Sequence, residues 1–444
     1  MKHLKHKYYF IGIGGVGMSA LARLCLRQGH QVVGYDKTAS PITQSLEEEG
    51  IYITYDTAVK AIPKEFAGAE VKVIYTAAIS NAHPQLAYYL SQGNKTRKRA
   101  VFLADLCKKS KLLAVSGTHG KTTTSAILTH IFSESEYSFS SLMSGFLNGN
   151  NSNLIGNGEE FMIVEADEYD RSFLQLHPNI ACVTSMDPDH LDIYKTAVAF
   201  ETAFVSFSNQ VKDQVIVNFG LPLKGLTYGV EVAADYNAFN IQNTEKGYRF
   251  DLKTPKGEYQ QIIFNQFGKH NIANSVCAIA MADQAGVPLK KALKALENFP
   301  GVHRRMNVFE WGKAFVVDDY AHHPNEIRMV LETIKTSFSD RKNCVIFQPH
   351  LFSRTQDFME GFVSVLEEFD EVAILDIYPA REEPIPGVDA FKLLKGLNHT
   401  NKKHIKKEEI ESLMRSSDAG VFAFLGACDI GLEVQELKQQ IEVL

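Results

Sequence analysis

Two glycine-rich turns in this chain have the residue types to hold phosphate, and one of them also carries the residues to transfer it. Ser116-Gly-Thr-His-Gly-Lys-Thr-Thr-Thr124 lies between an apolar run and a helical pattern. Backbone N–H groups of such a loop cradle phosphates, Lys121 reaches the β- and γ-phosphates, and the Thr122 hydroxyl suits Mg²⁺. The usual G-x-x-x-x-G-K-[ST] is not fully met, because Val115 stands five positions before Gly120. The spacing Gly117-x-x-Gly120-Lys121-Thr122 still keeps the cradle and its lysine. Gly117, Thr118, His119, Gly120, Lys121, Thr122 and Thr123 are therefore candidate ATP contacts.

The other turn, Gly12-Ile-Gly14-Gly15-Val-Gly17, follows an apolar strand and opens a helix, with Asp36 closing the next strand. Missing side chains let backbone approach a pyrophosphate at a helix N-terminus, and a carboxylate at Asp36 can accept from a ribose. Alone, this pattern fits a nicotinamide or flavin dinucleotide, another nucleotide held by its diphosphate, or a purely structural turn. A hydride-transfer enzyme has little use for the second turn, whereas an ATP-consuming enzyme acting on a nucleotide-linked substrate needs both.

Acidic and imidazole groups follow two later strands. Glu165-Ala-Asp-Glu-Tyr-Asp170 begins where Phe161–Val164 ends, and Asp187-Pro-Asp-His190 follows Ile180–Thr184. Ligands collect at the carboxyl ends of parallel strands, so Glu165 and His190 are expected near the phosphate loop. Oxygen is the ligand Mg²⁺ prefers, which makes Glu165 with Thr122 the stronger metal pair and His190 the weaker member.

The elements that must position these groups read as three α/β domains, at 1–108, 109–309 and 310–444. Strands are expected at 8–13, 31–35, 71–75, 112–115, 161–164, 180–184, 314–317, 344–347, 372–375 and 421–425. Helices follow the glycine turns and span 325–336 and 357–369. Short alternating runs between 226 and 264 predict an antiparallel patch on a parallel sheet, and 401–409 reads as a solvated loop and helix face. In fold terms this is a Rossmann-like domain, a central P-loop domain with a mainly parallel sheet, and a second Rossmann-like domain.

Composition limits the alternatives. Across 444 residues, 45% are hydrophobic and 22% charged, which excludes a disordered or fibrous chain. The net charge of −6 offers no basic surface for tracking nucleic acid. Six scattered cysteines form no CxxC pair, which favours a reducing cytoplasm over a disulfide framework. Lys2, Lys5 and Lys7 ahead of an apolar stretch imitate a secretory signal, but Gly12, Gly14, Gly15 and Gly17 would spoil its helical core. No apolar run reaches the length of a membrane span.

Gly117-Thr-His-Gly-Lys-Thr-Thr-Thr124, Glu165-Ala-Asp-Glu168 and Asp189-His190 resemble the central ATPase domain of the Mur ligases. The resemblance extends through Gly12–Gly17, Phe267-Gly-Lys-His-Asn271, Gly301-Val-His-Arg-Arg305, Asp318-Asp-Tyr-Ala-His-His-Pro324 and Phe347-Gln-Pro-His350, so it spans essentially the whole chain. It implies ATP-dependent joining of a carboxylate to an amine. The lactyl carboxylate of UDP-N-acetylmuramate would become an acyl phosphate, and L-alanine would displace the phosphate. A ligase that attaches a recycled tripeptide is the alternative within the family; a dehydrogenase or a non-catalytic nucleotide-binding regulator leaves Lys121, Glu165, His190 and Arg305 without work.

In family terms Lys121 would stabilise the moving phosphoryl group. Thr122 and Glu165 would hold one Mg²⁺ (or Mn²⁺), and Glu165 with His190 a second. Asn271 would bond the adenine, with Asn274 one turn on; Arg305 and Asp319 would be ATP contacts brought in by domain closure, and Arg304 a solvated neighbour. His322 and Arg354 would place the incoming amino acid, with His323 structural. Gly14, Gly15 and Gly17 would face the UDP diphosphate, with Asp36 and Thr76 toward the uridine. Small molecules, no nucleic acid, no membrane, and a monomer or weak homodimer complete the expectation. Two departures stand out: Leu351 occupies a position where some members have arginine, and Cys428 interrupts the usual Gly-Ala-Gly-Asp at Gly426-Ala-Cys-Asp429.

Overall fold

A computed structural model describes residues 5–188, 191–380, 382–427 and 429–442. Asp189, His190 and Cys428 lie outside the described residues. Three sheets follow one another along the chain. The first has five parallel strands in the order Tyr52–Thr54, Gln31–Tyr35, Lys7–Ile11, Lys72–Tyr75, Thr96–Lys98. Its central strand Lys7–Ile11 is buried on both faces, as a parallel sheet covered by helices requires.

The second sheet has ten strands, with Lys111–Ser116 between Ile180–Val183 and Phe161–Glu165, all three parallel. The expected antiparallel patch begins later than the sequence suggests. Leu226–Val230 pairs in parallel with both Gln214–Asn218 and Tyr236–Thr244. Only Tyr236–Thr244, Gly247–Thr254 and Gly257–Phe264 are joined by the two-residue turns that fit hairpins. The five-residue link between Val230 and Tyr236 is too short to reveal, from sequence, that the chain crosses back before pairing.

The third sheet runs Asn307–Trp311, Ala314–Asp319, Val421–Leu425, Asn343–Phe347, Glu371–Ile374, Lys402–His404. Its first strand is the antiparallel edge and begins ahead of residue 310. Segment 401–409, expected to be a solvated loop and helix face, supplies the edge strand Lys402–His404 before the short helical turn Lys407–Glu409. The expected helix 357–369 is observed as Met359–Leu366, and Phe358 (φ −112°, ψ 19°) separates it from a preceding helix, Phe352–Asp357, that was not expected. Separate apolar layers cover the two faces of this sheet, one around Val317, Val345 and Phe362 and the other around Val316, Ile346 and Phe424.

These elements form two compact units. One comprises Met1–Ile241, Arg249–Phe264 and Ile272–Pro300; the other comprises Gln242–Tyr248, Asn265–Asn271 and Gly301–Leu444. The first and second sheets share the first unit because one core runs through both, from Phe10, Met18 and Phe102 to Leu112, Met162 and Val164. Arg23 reinforces that junction. Its guanidinium is 1% exposed and donates to Glu49 (2.7 Å), Ser45 (2.9 Å) and Asn153 (2.7 Å), while Asn153 donates back to the Val16 carbonyl (2.6 Å). A buried arginine costs several kcal/mol if left unpaired, roughly 3–5, so this network fixes how the two sheets meet. The five described cysteines are buried and free. No helix among the described residues is long and apolar enough to cross a membrane.

Candidate active site

The second glycine turn leaves the carboxyl end of Lys111–Ser116 and enters the helix Lys121–Ser133. Two of its glycines are obligatory. At Gly117 (φ +135°) a Cβ would sit 2.0 Å from the Thr184 hydroxyl and 2.8 Å from the Ser185 amide. At Gly120 (φ +80°) it would sit 2.5 Å from Asn274 Oδ1. Neighbouring strands then hold the loop: the Thr118 amide donates to the Ser185 carbonyl (3.2 Å), the His119 amide to the Ser185 hydroxyl (2.8 Å), and the Thr118 hydroxyl to the Asp187 carbonyl (2.7 Å). The amino end of the helix is left facing the cradle that these glycines keep open, a fit for a phosphate chain.

Lys121 Nζ donates to both oxygens of Glu168, at 2.9 and 2.8 Å, and to backbone carbonyls of its own loop. Burial acts to lower the lysine pKa, but Glu168, Glu165 and Asp167 outweigh it, and the net direction is upward. The ammonium is therefore a permanent charge. Thr122 Oγ1 donates to Glu165 Oε1 at 3.1 Å, and Glu165 Oε2 accepts from the Ser144 amide. A hydroxyl and a carboxylate at this spacing are hard oxygen donors of the kind Mg²⁺ takes, so the residues fit the metal. Asn274 accepts from the Thr124 hydroxyl (3.2 Å) and so backs the loop. Thr123 is buried in the first turn of the helix.

The first glycine turn has the same design with opposite trimmings. Gly12 (φ +84°) donates to the Tyr35 carbonyl, and Gly15 begins the helix Val16–Arg27. Asp36 accepts from the Gly14 amide (2.7 Å) and from the Lys37 amide (2.8 Å), so its carboxylate braces the turn. Thr76 packs against Gly12, where a Cβ would meet its methyl at 2.7 Å. Sequence reasoning missed Arg99. Its guanidinium approaches Gly17, where a Cβ would come 3.0 Å from Nη1, and it faces Asp167 at 3.7 Å on the other side. The basic stretch Lys95–Arg99 carried that signal but resembles a linker in one dimension.

In the other unit, Asp319 is 7% exposed and accepts from the Met306 (2.7 Å) and Ala321 (2.8 Å) amides. Burial raises its pKa to about 6 against the opposing pull of Arg305. Arg305 lies over the Tyr320 ring at 5.1 Å. Arg304, expected to be solvated, is instead held internally by Asp318 and the Gly426 carbonyl, its side chain only 17% exposed. Its φ of +55° turns the side chain inward, which residue order does not disclose. Asn271 donates to the Phe267 carbonyl (2.7 Å).

His322, His350 and Arg354 cluster nearby: the imidazole centroids are 6.2 Å apart and Arg354 Nη1 is 3.2 Å from His350 Nδ1. Burial, then His322 and Arg354, depress the His350 pKa to about 4. Burial likewise lowers that of His322, which Glu326 opposes. His323 caps the helix Pro324–Ser337 through the Asn325 amide, a structural task.

Three α/β sheets, a lysine-bearing phosphate loop with an adjoining oxygen pair, and a second glycine turn define a nucleotide-using phosphoryl-transfer enzyme. Family models match in sequence order: the Mur ligase family catalytic domain over residues 7–111, the Mur ligase middle domain over 115–282, and the Mur ligase glutamate ligase domain over 304–426. The chain belongs to the Mur ligase family. It is 45% identical over 440 residues to a UDP-N-acetylmuramate–L-alanine ligase of Flavobacterium psychrophilum, with 98% of each chain covered. It is 36% identical to one from Porphyromonas gingivalis, with 99% of each covered. The crystal structure of UDP-N-acetylmuramate-alanine ligase from Thermotoga maritima superposes with a TM-score of 0.83 at 28% identity, covering 98% of this chain and 99% of that one. A murein peptide ligase from Psychrobacter arcticus, at 22% identity and a TM-score of 0.69, shares the fold.

Proposed function

We propose that this chain joins L-alanine to the lactyl carboxylate of UDP-N-acetylmuramate at the expense of ATP, giving ADP and phosphate. One observation carries the reading: Arg99 stands between the first glycine turn and the acidic run that pairs with the second, at Gly17 on one side and at Asp167, two residues past Glu165, on the other. A diphosphate at the first turn and ATP at the second are then held within one compact unit. Identity of up to 45% with alanine ligases over the full length supports the choice of substrates.

The chain's residues divide the work. Gly14, Gly15, Gly17 and Arg99 bind the UDP diphosphate, and Asp36 and Thr76 shape the turn on its nucleoside side. Gly117 to Thr123 cradle the ATP phosphates, and Asn271, Asn274, Arg305 and Asp319 complete the ATP contacts. A carboxylate oxygen of the muramyl group attacks the γ-phosphorus and ADP departs. Lys121 exchanges its bond to Glu168 for the oxygens between the β- and γ-phosphorus, where charge accumulates. Thr122 and Glu165 would hold one Mg²⁺ and Glu165 with His190 a second, supplying charge neutralisation when bound. Manganese is a second candidate for the same oxygens.

The amine of L-alanine then attacks the acyl carbon, a tetrahedral centre forms, and inorganic phosphate leaves as the nitrogen gives up its proton. Arg354 pairs with the amino-acid carboxylate, and His322 borders the amine. The reading has no role for a membrane or nucleic acid, and the enzyme works as a monomer or weak homodimer in the cytoplasm.

Phosphate release from ATP with UDP-N-acetylmuramate tests it, comparing L-alanine, L-serine, glycine and L-Ala-γ-D-Glu-meso-diaminopimelate as amines. Release favouring L-alanine is expected. Release with the tripeptide alone would replace the reading by a recycling ligase.

A further inference from the structure

At the opposite, amino ends of the first two sheets lies a cavity of about 670 Å³ that the ligase reaction does not use. Its walls come from the starts of strands: Tyr8 and Lys72 from the first sheet, Met162 from the second, and Lys109 from the link between them. The phosphate turns sit at the carboxyl ends of these same sheets. Strands of five and six residues, at about 3.3 Å per residue, separate the two regions by roughly 15–20 Å.

Charge in the cavity is one-sided. Five lysines and arginines line it against two carboxylates, Asp105 and Glu159. Asp105 is already engaged, by Arg97 at 3.4 Å and by Lys108 at 2.7 Å. Lys72 opens the strand Lys72–Tyr75 and Lys95 directly precedes its parallel neighbour Thr96–Lys98, where the Val73 amide donates to the Lys95 carbonyl. Neither has a carboxylate within ion-pair distance among the described residues. Like charges side by side are destabilising, and burial, followed by the charge on Lys95, lowers the affinity of Lys72 for its proton. Such an arrangement inside a concavity persists at a cost that an anion would remove.

The floor is apolar and aromatic. Tyr8 packs on Phe102 (5.4 Å between centroids) and on His30 (5.3 Å), and Lys72 Nζ lies 5.4 Å from the Tyr8 centroid. A bare inorganic ion would leave this surface bare, whereas a ring-bearing anion would cover it while its charged group met the lysines.

We infer that the cavity is a second ligand site, distinct from the catalytic ones, for an organic anion that carries a phosphate or sulfonate on an aromatic or similarly flat body. The ligand spans both sheets, so it clamps the first domain to the second.

The test uses the full chain with UDP-N-acetylmuramate and a non-hydrolysable ATP analogue at saturation, and 8-anilinonaphthalene-1-sulfonate as fluorescent probe. One probe is expected to bind per chain. The pair Lys72→Ala with Lys95→Ala should weaken it at least about tenfold, and Lys72→Arg with Lys95→Arg should retain it, so loss of charge is separated from loss of fold. Phenyl phosphate should displace the probe at a concentration at least about tenfold below that needed for inorganic phosphate. Displacement of the probe by the two substrates, or equal binding to wild type and the alanine pair, would overturn the site. Equal potency of phenyl and inorganic phosphate would overturn its assignment to a ring-bearing ligand.

Discussion

The two glycine turns use one backbone device for two purposes. Both leave a parallel strand, both need positive φ, and both present a helix N-terminus. At the first, the nearby charges are Asp36, spent on the Gly14 amide, and Arg99, which approaches from a different helix. At the second, the cation opens the helix itself and two carboxylates, Glu165 and Glu168, stand across from it. Backbone N–H groups suffice to hold a diphosphate that does not react. A lysine and a pair of oxygen donors become necessary where a P–O bond must break.

The sharpest way to break this comparison is Lys121→Ala. Turnover is expected to fall about a thousandfold, as when a preorganised charge is removed from a transition state. Affinity for UDP-N-acetylmuramate, measured by calorimetric titration, should stay within about twofold, since the first turn does not touch the lysine. Equal loss of turnover and UDP-substrate affinity would show that the two turns act as one site.

Gly117→Ala comes next. Its Cβ would strike the Ser185 backbone and the Thr184 hydroxyl, with φ at +135°, so the loop must shift. A displacement near 1 Å at reacting groups costs about a hundredfold, expected here in kcat/KM for ATP. Gly12→Ala also has a positive φ but meets only the Thr76 side chain, which can rotate. Its effect should be smaller and confined to the KM for the UDP substrate. A larger loss from Gly12→Ala would reverse the ranking of the two turns.

How much of this the sequence disclosed depends on the distance over which each contact acts. The glycine turns, Lys121 and Thr122 were legible because strand, turn and helix lie within about ten residues, and Glu165 because it ends its own parallel strand. Glu168 stood in the quoted acidic run, yet its pairing with Lys121 bridges 47 residues. Asn274 backing Thr124 bridges 150, and Asn153 meeting Arg23 bridges 130. No periodicity reports such contacts. The shared core of the first two sheets was hidden for the same reason, and so was Arg99, a basic residue that reads as linker until the helix Arg99–Cys107 turns it toward Gly17.

Arg99 gives the next test. Charge-assisted hydrogen bonds contribute about 1.5–3 kcal/mol, so Arg99→Ala should raise the KM for UDP-N-acetylmuramate about ten- to a hundredfold and leave that for ATP nearly unchanged. A selective rise in the ATP requirement would assign the guanidinium to the second turn instead. Arg354→Ala offers the parallel case in a region where side chains, not backbone, face the anion. Its KM for L-alanine should rise by a similar factor while both nucleotide requirements hold. Unchanged alanine saturation would remove Arg354 from the amino-acid pocket.

The smallest effect is a titration that should not occur. His350 touches Arg354 and stands beside His322, and burial, followed by these two neighbours, lowers its pKa from 6.5 to about 4. The folded ring is then neutral at pH 7 and leaves Arg354 as the fixed charge for a carboxylate. The sign follows from proton counts: between pH 6.5 and 4 the unfolded chain binds the proton and the folded one does not, so this group withdraws stability as pH falls through that window and contributes nothing above it. In histidine-labelled protein, the ring resonance that disappears in His350→Gln should hold its chemical shift from pH 6 to 8. A midpoint between 6 and 7 would mean a charged imidazole shares the anion with Arg354, and the contrast between backbone-held and side-chain-held anions would need a second cation on the side-chain side.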